Sequence, residues 1–359
     1  MKIQFKISSR RQFIKSLCVF CASGFTPLWN INFKNKPENE FGKEPVSPDA
    51  EQFVPSFLNL HKEGELRKRG KILWDIMKSC RLCPRECGVN RIEGEEGFCH
   101  ASSNLEIASF HPHFGEERSL VGKGGSGTIF FSNCGLRCVF CINWEISQGS
   151  EGSVNNISDL ADMMLQLQKR GCHNINVVTP THYSAHIVLA LDIAAGKGLR
   201  LPVVYNTCGW ERPEILEILD GIVDIYLPDF KYSDGKIAAK YSSEAETYPE
   251  LTKAALLEMH RQVGKAQPAK DGLIRRGLMI RHLVMPNNIG GTKEVMKWIA
   301  ENLPKDTYVN IMSQYRPMYK AFDFPEISKP ISREEYRQAI IWAEQAGLTN
   351  LDIQGWYRE

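Results

Sequence analysis

Three cysteines fall within eight residues, in the run Cys134-Gly-Leu-Arg-Cys138-Val-Phe-Cys141. Thiolates are soft ligands that suit iron–sulfur clusters. Three of them can ligate three irons of a 4Fe-4S cube and leave the fourth iron open to a substrate, which a four-cysteine ferredoxin site does not. A structural zinc site is the rival reading. Zinc usually takes four ligands, often as two separated Cys-x2-Cys pairs. The nearest further candidates, Cys172 and His173, lie beyond the next stretch of helical pattern.

A second group reads Cys80-Arg-Leu-Cys83-Pro-Arg-Glu-Cys87, then Gly97-Phe-Cys99, a C-x2-C-x3-C-x11-C spacing. Four thiolates this near in sequence can close a zinc site or hold a second iron–sulfur cluster, and the spacing leaves that choice open. Either would pin a loop-rich segment with little core of its own. The chain has 11 cysteines, and seven of them sit in these two groups. Such clustering favours metal or cluster ligation over a disulfide framework. Cys18 and Cys21 lie near the N-terminus, and Cys172 and Cys208 stand alone. A single cysteine such as Cys172 is ordinarily a buried, incidental thiol.

Catalytic cysteines need a scaffold, and the body of the chain supplies a regular one. Short apolar runs bounded by polar or turn residues occur at Thr128–Ser132, Asn174–Val178, Pro202–Asn206, Ile222–Leu227, Leu278–Val284 and Tyr308–Met312. They read as buried parallel strands. Helical patterns lie between them, at Asp159–Arg170, Ile187–Ala195, Glu214–Leu219 and Thr292–Asn302. A last helix, Ser332–Ala346, opens on the capping-box sequence Ser332-Arg-Glu-Glu335. Six βα units in order predict an α/β fold with a parallel barrel or partial barrel. Functional groups then belong at the C-terminal ends of strands, where Cys134 follows the first one.

The organisation expected is a signal segment at 1–26, a linker at 27–70, a cysteine-rich metal-binding module at 71–115, a barrel at 120–347 and a tail at 348–359. Prolines 27, 37, 45, 48 and 55 among polar residues mark the linker. Ser8-Ser-Arg-Arg-Gln-Phe-Ile-Lys15 resembles a twin-arginine export signal, followed by a short apolar stretch, Leu17–Ala22. That motif points to the periplasm. Lys+Arg number 44 against 42 Asp+Glu, so no charge bias argues for nucleic acid. No run approaches the ~18 apolar residues of a membrane span. No dimer seam is visible, so a monomer is expected.

Beyond the cysteines, the chain from about Cys80 to Gly347 resembles the radical S-adenosylmethionine (radical SAM) superfamily. Within it, the chain is most similar to activating proteins of glycyl radical enzymes, in the pyruvate formate-lyase activating enzyme-like subgroup. The cysteine triplet carries the resemblance. So do Asn176-Val-Val-Thr-Pro-Thr-His-Tyr183, Val204-Tyr-Asn-Thr-Cys-Gly209, Tyr226-Leu-Pro-Asp-Phe-Lys231 and Arg281-His-Leu-Val-Met-Pro286. The resemblance implies a six-stranded partial (β/α)6 TIM-like barrel of the radical SAM type, with a cysteine-rich N-terminal extension. It implies a 4Fe-4S cluster on Cys134, Cys138 and Cys141, with SAM as cofactor and Phe140 against its adenine. Where the family carries Gly-Gly-Glu for the SAM amino group, this chain has Thr179-Pro-Thr-His182, so Thr179, Thr181 or His182 must substitute. Where the family has Asp-Thr-Asn-Gly, this chain has Asn206-Thr207-Cys208-Gly209. Thr207 and Gly209 match, and the acid that a cation site there would use is missing. Asp229 and Lys231 match the family's Asp-x-Lys. Arg281 matches an arginine that could meet the SAM carboxylate or else form a strand-end salt bridge.

The expected reaction is reductive cleavage of SAM to a 5′-deoxyadenosyl radical, which abstracts hydrogen. The resemblance implies a glycine of a partner enzyme as substrate and a flavodoxin or ferredoxin as electron donor. A small molecule or a different protein residue is the second enzymatic option, and a non-catalytic iron–sulfur electron carrier is the rival from another class. Because SAM and low-potential electrons are made in the cytoplasm, this chemistry stands against the export motif.

Overall fold

The structure, a computed structural model, describes residues 53–149 and 151–355. The twin-arginine motif, Cys18, Cys21 and the linker up to residue 52 lie outside the described residues. In chain order the elements are α1 (Phe57–Lys62), α2 (Glu65–Ile76), β1 (Leu105–His113), β2 (Ser126–Phe131), β3 (Ser153–Asn155), α3 (Ile157–Lys169), β4 (Ile175–Val178) and α4 (Ser184–Gly196). There follow β5 (Val203–Thr207), α5 (Pro213–Ile218), β6 (Ile225–Pro228), α6 (Gly235–Tyr241), α7 (Tyr248–Val263) and β7 (Gly277–Leu283). The last are α8 (Thr292–Asn302), β8 (Tyr308–Met312), α9 (Arg333–Gln345) and β9 (Leu351–Ile353).

The strands form one nine-stranded sheet in the order β3-β1-β2-β4-β5-β6-β7-β8-β9. From β2 to β9 every pairing is parallel, and only β1 runs antiparallel to its neighbours β2 and β3. The order is linear and the sheet does not close on itself. The fold is therefore α/β with a mostly parallel sheet. The six strands read from the sequence are β2, β4, β5, β6, β7 and β8. Strands β1, β3 and β9 were not expected, because their apolar residues are few and alternate with polar ones. Two expectations need correction. Residues assigned to the end of a linker form α1 and the first half of α2, with Phe57 and Leu66 fully buried. Residues assigned to a tail form β9, which pairs with β8.

Register decides which side chains share a face. Ile129, Val177, Tyr205, Tyr226, Ile280 and Ile311 belong to one face and join the large core built with the helices. On the opposite face, Val204, Ile225, Leu227, Met279 and Tyr308 pack with Leu120, Ala266 and Ile274. Polar residues occupy that second face nearer the strand ends, where Arg281 pairs in register with Asn310 and bridges to Asp229. Since the strands from β2 to β9 run the same way, their exit loops gather along one edge of the sheet. The capping box of α9 forms as its sequence indicates, with Ser332 and Glu335 bonded reciprocally.

Candidate functional site at the strand ends

The loop leaving β2 carries Cys134, Cys138 and Cys141, all free thiols. Two non-glycine residues, Asn133 (φ 73°) and Arg137 (φ 51°), take left-handed backbone angles that turn the loop. Hydrogen bonds fix it from several sides. Val139 N donates to Tyr241 O at 2.9 Å and Lys320 N to Val139 O at 2.9 Å. Gln148 Nε2 donates to Cys138 O at 3.0 Å, and Ser243 Oγ to Arg137 O at 3.1 Å. Ser242 Oγ donates to Cys138 Sγ at 3.1 Å, and Ser147 Oγ lies 3.2 Å from Cys141 Sγ. Burial raises the Cys138 thiol to about 12, with Lys231 acting against the rise. Phe140 is buried between Tyr232 and Tyr315, at centroid distances of 6.4 and 5.8 Å.

The neighbouring strand ends supply charge. Lys231 and Asp229 form an ion pair, both partly buried. Burial disfavours the Lys231 ammonium, but Asp229 and Cys138 more than offset it and hold its pKa above the ordinary value. Arg281 makes a fork to Glu117, Nε–Oε1 at 2.8 Å and Nη2–Oε2 at 2.9 Å, and also contacts Glu116. Its Nη1 donates to Asn206 Oδ1 at 3.2 Å, and Asn310 Nδ2 donates to Glu117 at 2.8 Å. Burial works against the Glu117 charge, yet Arg281 keeps its pKa below the usual carboxylate value. Arg281 therefore has the surroundings of a strand-end salt bridge, and a ligand carboxylate would have to share its fork with two glutamates.

The Thr179-Pro-Thr-His182 segment divides its work. Thr179, at φ 60°, donates its backbone N–H to Asn206 O at 2.9 Å. Thr181 and Thr207 both donate their hydroxyls to Oε1 of Glu211, the former at 2.6 Å. His182 is buried, and its Nε2 lies 2.8 Å from Ser132 O, two residues before Cys134. Burial and then Arg91 lower its pKa to about 3, so the ring is neutral and donates through Nε2. Thus His182 braces the cysteine loop. Gly209 (φ 82°) lies so near Asp229 that an added Cβ would be 1.9 Å from its carbonyl oxygen. Only glycine fits there.

Two important residues escaped the sequence reading. Glu211 is fully buried, its Oε2 has no hydrogen-bond partner among the described residues, and burial raises its pKa to about 7. Arg91 is fully buried and donates from Nη1 to His182 O at 2.8 Å and from Nε and Nη2 to Ser102 O at 3.0 and 2.6 Å. A buried arginine leaves no periodic signal. A carboxylate three residues after Cys208 could have been suspected only once the two threonines were known to converge on it.

The first cysteine group folds as a chain of turns. Cys80 N donates to Val89 O at 2.9 Å and Gly88 N to Cys80 O at 3.0 Å. Cys80 and Cys99 are buried and Cys87 is exposed. Arg91 Nη1 lies 3.9 Å from Cys80 Sγ. This group abuts the other: an added Cβ on Gly135 would lie 3.5 Å from Cys83 Sγ, and Arg85 Nε donates to Gly135 O at 2.9 Å. Among the described residues, no three His, Cys, Asp or Glu side chains close on one point as a cage for a single ion. No helix among them is long and apolar enough to cross a membrane.

The chain is 31% identical over 351 residues to the uncharacterized protein MJ0674 of Methanocaldococcus jannaschii, and the match covers 94% of each chain. It is 24% identical over 265 residues to the uncharacterized protein MJ0808 of the same organism, covering 68% of this chain and 73% of that one. No family model matches the chain.

Proposed function

For this chain, which belongs to one family with MJ0674, we propose a radical SAM enzyme of the glycyl-radical-activating type. The parallel run from β2 to β8 would be the six-stranded partial TIM-like barrel of that class. The observation that carries the reading is the placement of Cys134, Cys138 and Cys141 together on the loop leaving β2, at the edge where the other parallel strands end. The donor set fits a cluster with one open corner, being three free thiols on one braced loop. Cys134, Cys138 and Cys141 would hold a 4Fe-4S cluster, which when bound would supply the single electron for splitting SAM into methionine and a 5′-deoxyadenosyl radical able to abstract hydrogen.

The chain's own part is to hold, neutralise and dry that site. Ser242 and Ser147 direct hydroxyls at two of the sulfurs, and Lys231 sets a cation beside Cys138. Hydrogen bonds and cations favour the thiolate form that ligates iron. Phe140, Tyr232 and Tyr315 make an aromatic wall that excludes water from reactive species. Thr181, Thr207 and Glu211 tie the loops after β4 and β5 together. Asn206, Asp229 and Lys231 offer polar groups to a bound cofactor.

A protein substrate is favoured by exposed Phe98, Ile142 and Phe322, which flank the cysteine segments and the turn whose Lys320 holds Val139. The test is anaerobic reconstitution, reduction with dithionite, and assay of 5′-deoxyadenosine from SAM. Product is expected from the wild type and none from the Cys134→Ala/Cys138→Ala/Cys141→Ala variant. Persistent cleavage in that variant would end the proposal. A fully formed cluster that neither binds nor cleaves SAM would move the electron-carrier reading to the front.

A further inference from the structure

We propose that Cys80, Cys83, Cys87 and Cys99 hold a second iron–sulfur cluster, and that it relays single electrons to the centre on Cys134, Cys138 and Cys141. The inference rests on the reading above for the receiving centre. Its carrying observation is the abutment of the two groups. Cys83 Sγ lies against Gly135, with 3.5 Å to the position of an added Cβ, and Gly135 directly follows Cys134. No side chain separates them at that point, because residue 135 has none.

Three further observations agree. The thiols form a graded set, with Cys80 and Cys99 buried and Cys87 exposed, so the group reaches from the core to the surface. An electron arriving from outside would meet the Cys87 side, and the Cys83 side faces the second loop. Cations stand where anionic centres would otherwise repel. Arg85 donates to Gly135 O at 2.9 Å and has both Cys83 and Cys134 in its electrostatic surroundings. Arg91 lies 3.9 Å from Cys80 Sγ and is held by His182 O. Finally, the four thiols share a neighbourhood, Cys99 and Cys80 acting on Cys83 and Cys80 and Cys87 on Cys99, and a cluster would give each thiolate its own iron.

The electron balance is simple. A low-potential one-electron donor of the ferredoxin or flavodoxin class, or dithionite in vitro, reduces the second cluster by one electron. That cluster is reoxidised as it passes the electron to the centre on the β2 loop. No bond forms or breaks and no proton moves in the relay.

Three proteins decide the matter: the full-length wild type, the Cys134→Ala/Cys138→Ala/Cys141→Ala variant and the Cys80→Ala/Cys83→Ala/Cys87→Ala/Cys99→Ala variant. Each is reconstituted anaerobically with ferrous iron, sulfide and an equal amount of zinc, then assayed for metals and by electron paramagnetic resonance after dithionite. The proposal expects about eight irons in the wild type and about four in each variant. It also expects broadening of the wild-type signal by magnetic coupling that neither variant shows. One zinc and no iron in the first variant would overturn the proposal, as would two wild-type signals with no coupling. Iron retained in the first variant but absent from a folded second one would instead refute the reading of the β2 loop. Should the second variant fail to fold, Cys87→Ser placed in the first variant serves, since Cys87 is exposed. It must change that protein's resonance signal or iron content with circular dichroism unchanged, and an unaltered signal would remove Cys87 from the ligand set.

Discussion

Replacing Arg91 by methionine should loosen the joint between the two cysteine groups. The guanidinium is fully buried and makes three hydrogen bonds, at 2.6, 2.8 and 3.0 Å, to the carbonyls of Ser102 and His182. Methionine keeps the apolar stem and removes every donor. The His182 carbonyl loses a buried, charge-assisted bond, and an orphaned buried group costs about 1–3 kcal/mol. The Ser102 bonds are only part-buried, so water can replace some of what is lost there. Relief from burying a guanidinium offsets a further part. The net expectation is a loss of about 3 kcal/mol, a large share of a typical stability of about 5–15 kcal/mol. Because His182 also holds Ser132 O at 2.8 Å, iron uptake at the Cys134 group should fall as well. The assay is denaturant unfolding of the metal-free protein followed by circular dichroism, with iron content measured after reconstitution. A loss below about 1 kcal/mol together with unchanged iron uptake would refute the argument that Arg91 couples the two groups.

Other expectations follow from the same geometry. Gly209→Ala forces a Cβ to within 1.9 Å of the Asp229 carbonyl at φ 82°, so thermal unfolding should register a loss of about 3 kcal/mol; near-neutral behaviour would contradict the close approach. The Glu211 pKa is raised from 4.5 to about 7, so the folded state holds a proton that the unfolded state has released, and this group's contribution to stability falls as pH rises from about 4.5 to about 7. Glu211→Gln removes that dependence, and should gain about 3 kcal/mol on the wild type between pH 5 and pH 8; parallel stability profiles would show the carboxyl to be charged throughout. On the acid side, His182, His186 and His282 are lowered from 6.5 to about 3, 4 and 4, and the unfolded chain takes up their protons first as pH drops. Glu211 and Asp224, the latter raised to about 6, oppose this by protonating in the folded state. Near pH 5.5 the balance of these five groups is about one proton, and the lowered His111, His173 and His260 act in the same direction as the other histidines, so stability should fall by at least roughly 1.4 kcal/mol for each unit of acidification; a rise would reverse the sign.

The sheet was legible because its buried parallel strands are continuous apolar runs. Asn174–Val178 and Leu278–Val284 became β4 and β7 within a residue or two. Edge strands were not legible. In β1, Leu105–His113 carries Glu106, Ser109, His111 and His113, and pairs through a bulge after Ile107. Helices α1 and α2 were hidden by charge: Glu65-Leu-Arg-Lys-Arg-Gly-Lys71 reads as solvated linker, although Leu66 and Gly70 are buried. Within the candidate site, the two cysteine groups stood out by spacing, whereas the strand-end segments stood out only through the family resemblance. What spacing does not encode is partnership. The meeting of Thr181 and Thr207 on Glu211, the seat of Arg91 on His182 O, and the approach of Cys83 to Gly135 each join residues from separate loops. Such contacts arise only when the parallel strands bring their exit loops to one edge.

The central claim is most directly tested by 5′-deoxyadenosine formation from SAM by the anaerobically reconstituted, dithionite-reduced full-length protein. The account predicts product that requires the cysteine triplet Cys134, Cys138 and Cys141. A protein with its cluster fully formed that neither binds SAM nor yields 5′-deoxyadenosine would contradict it.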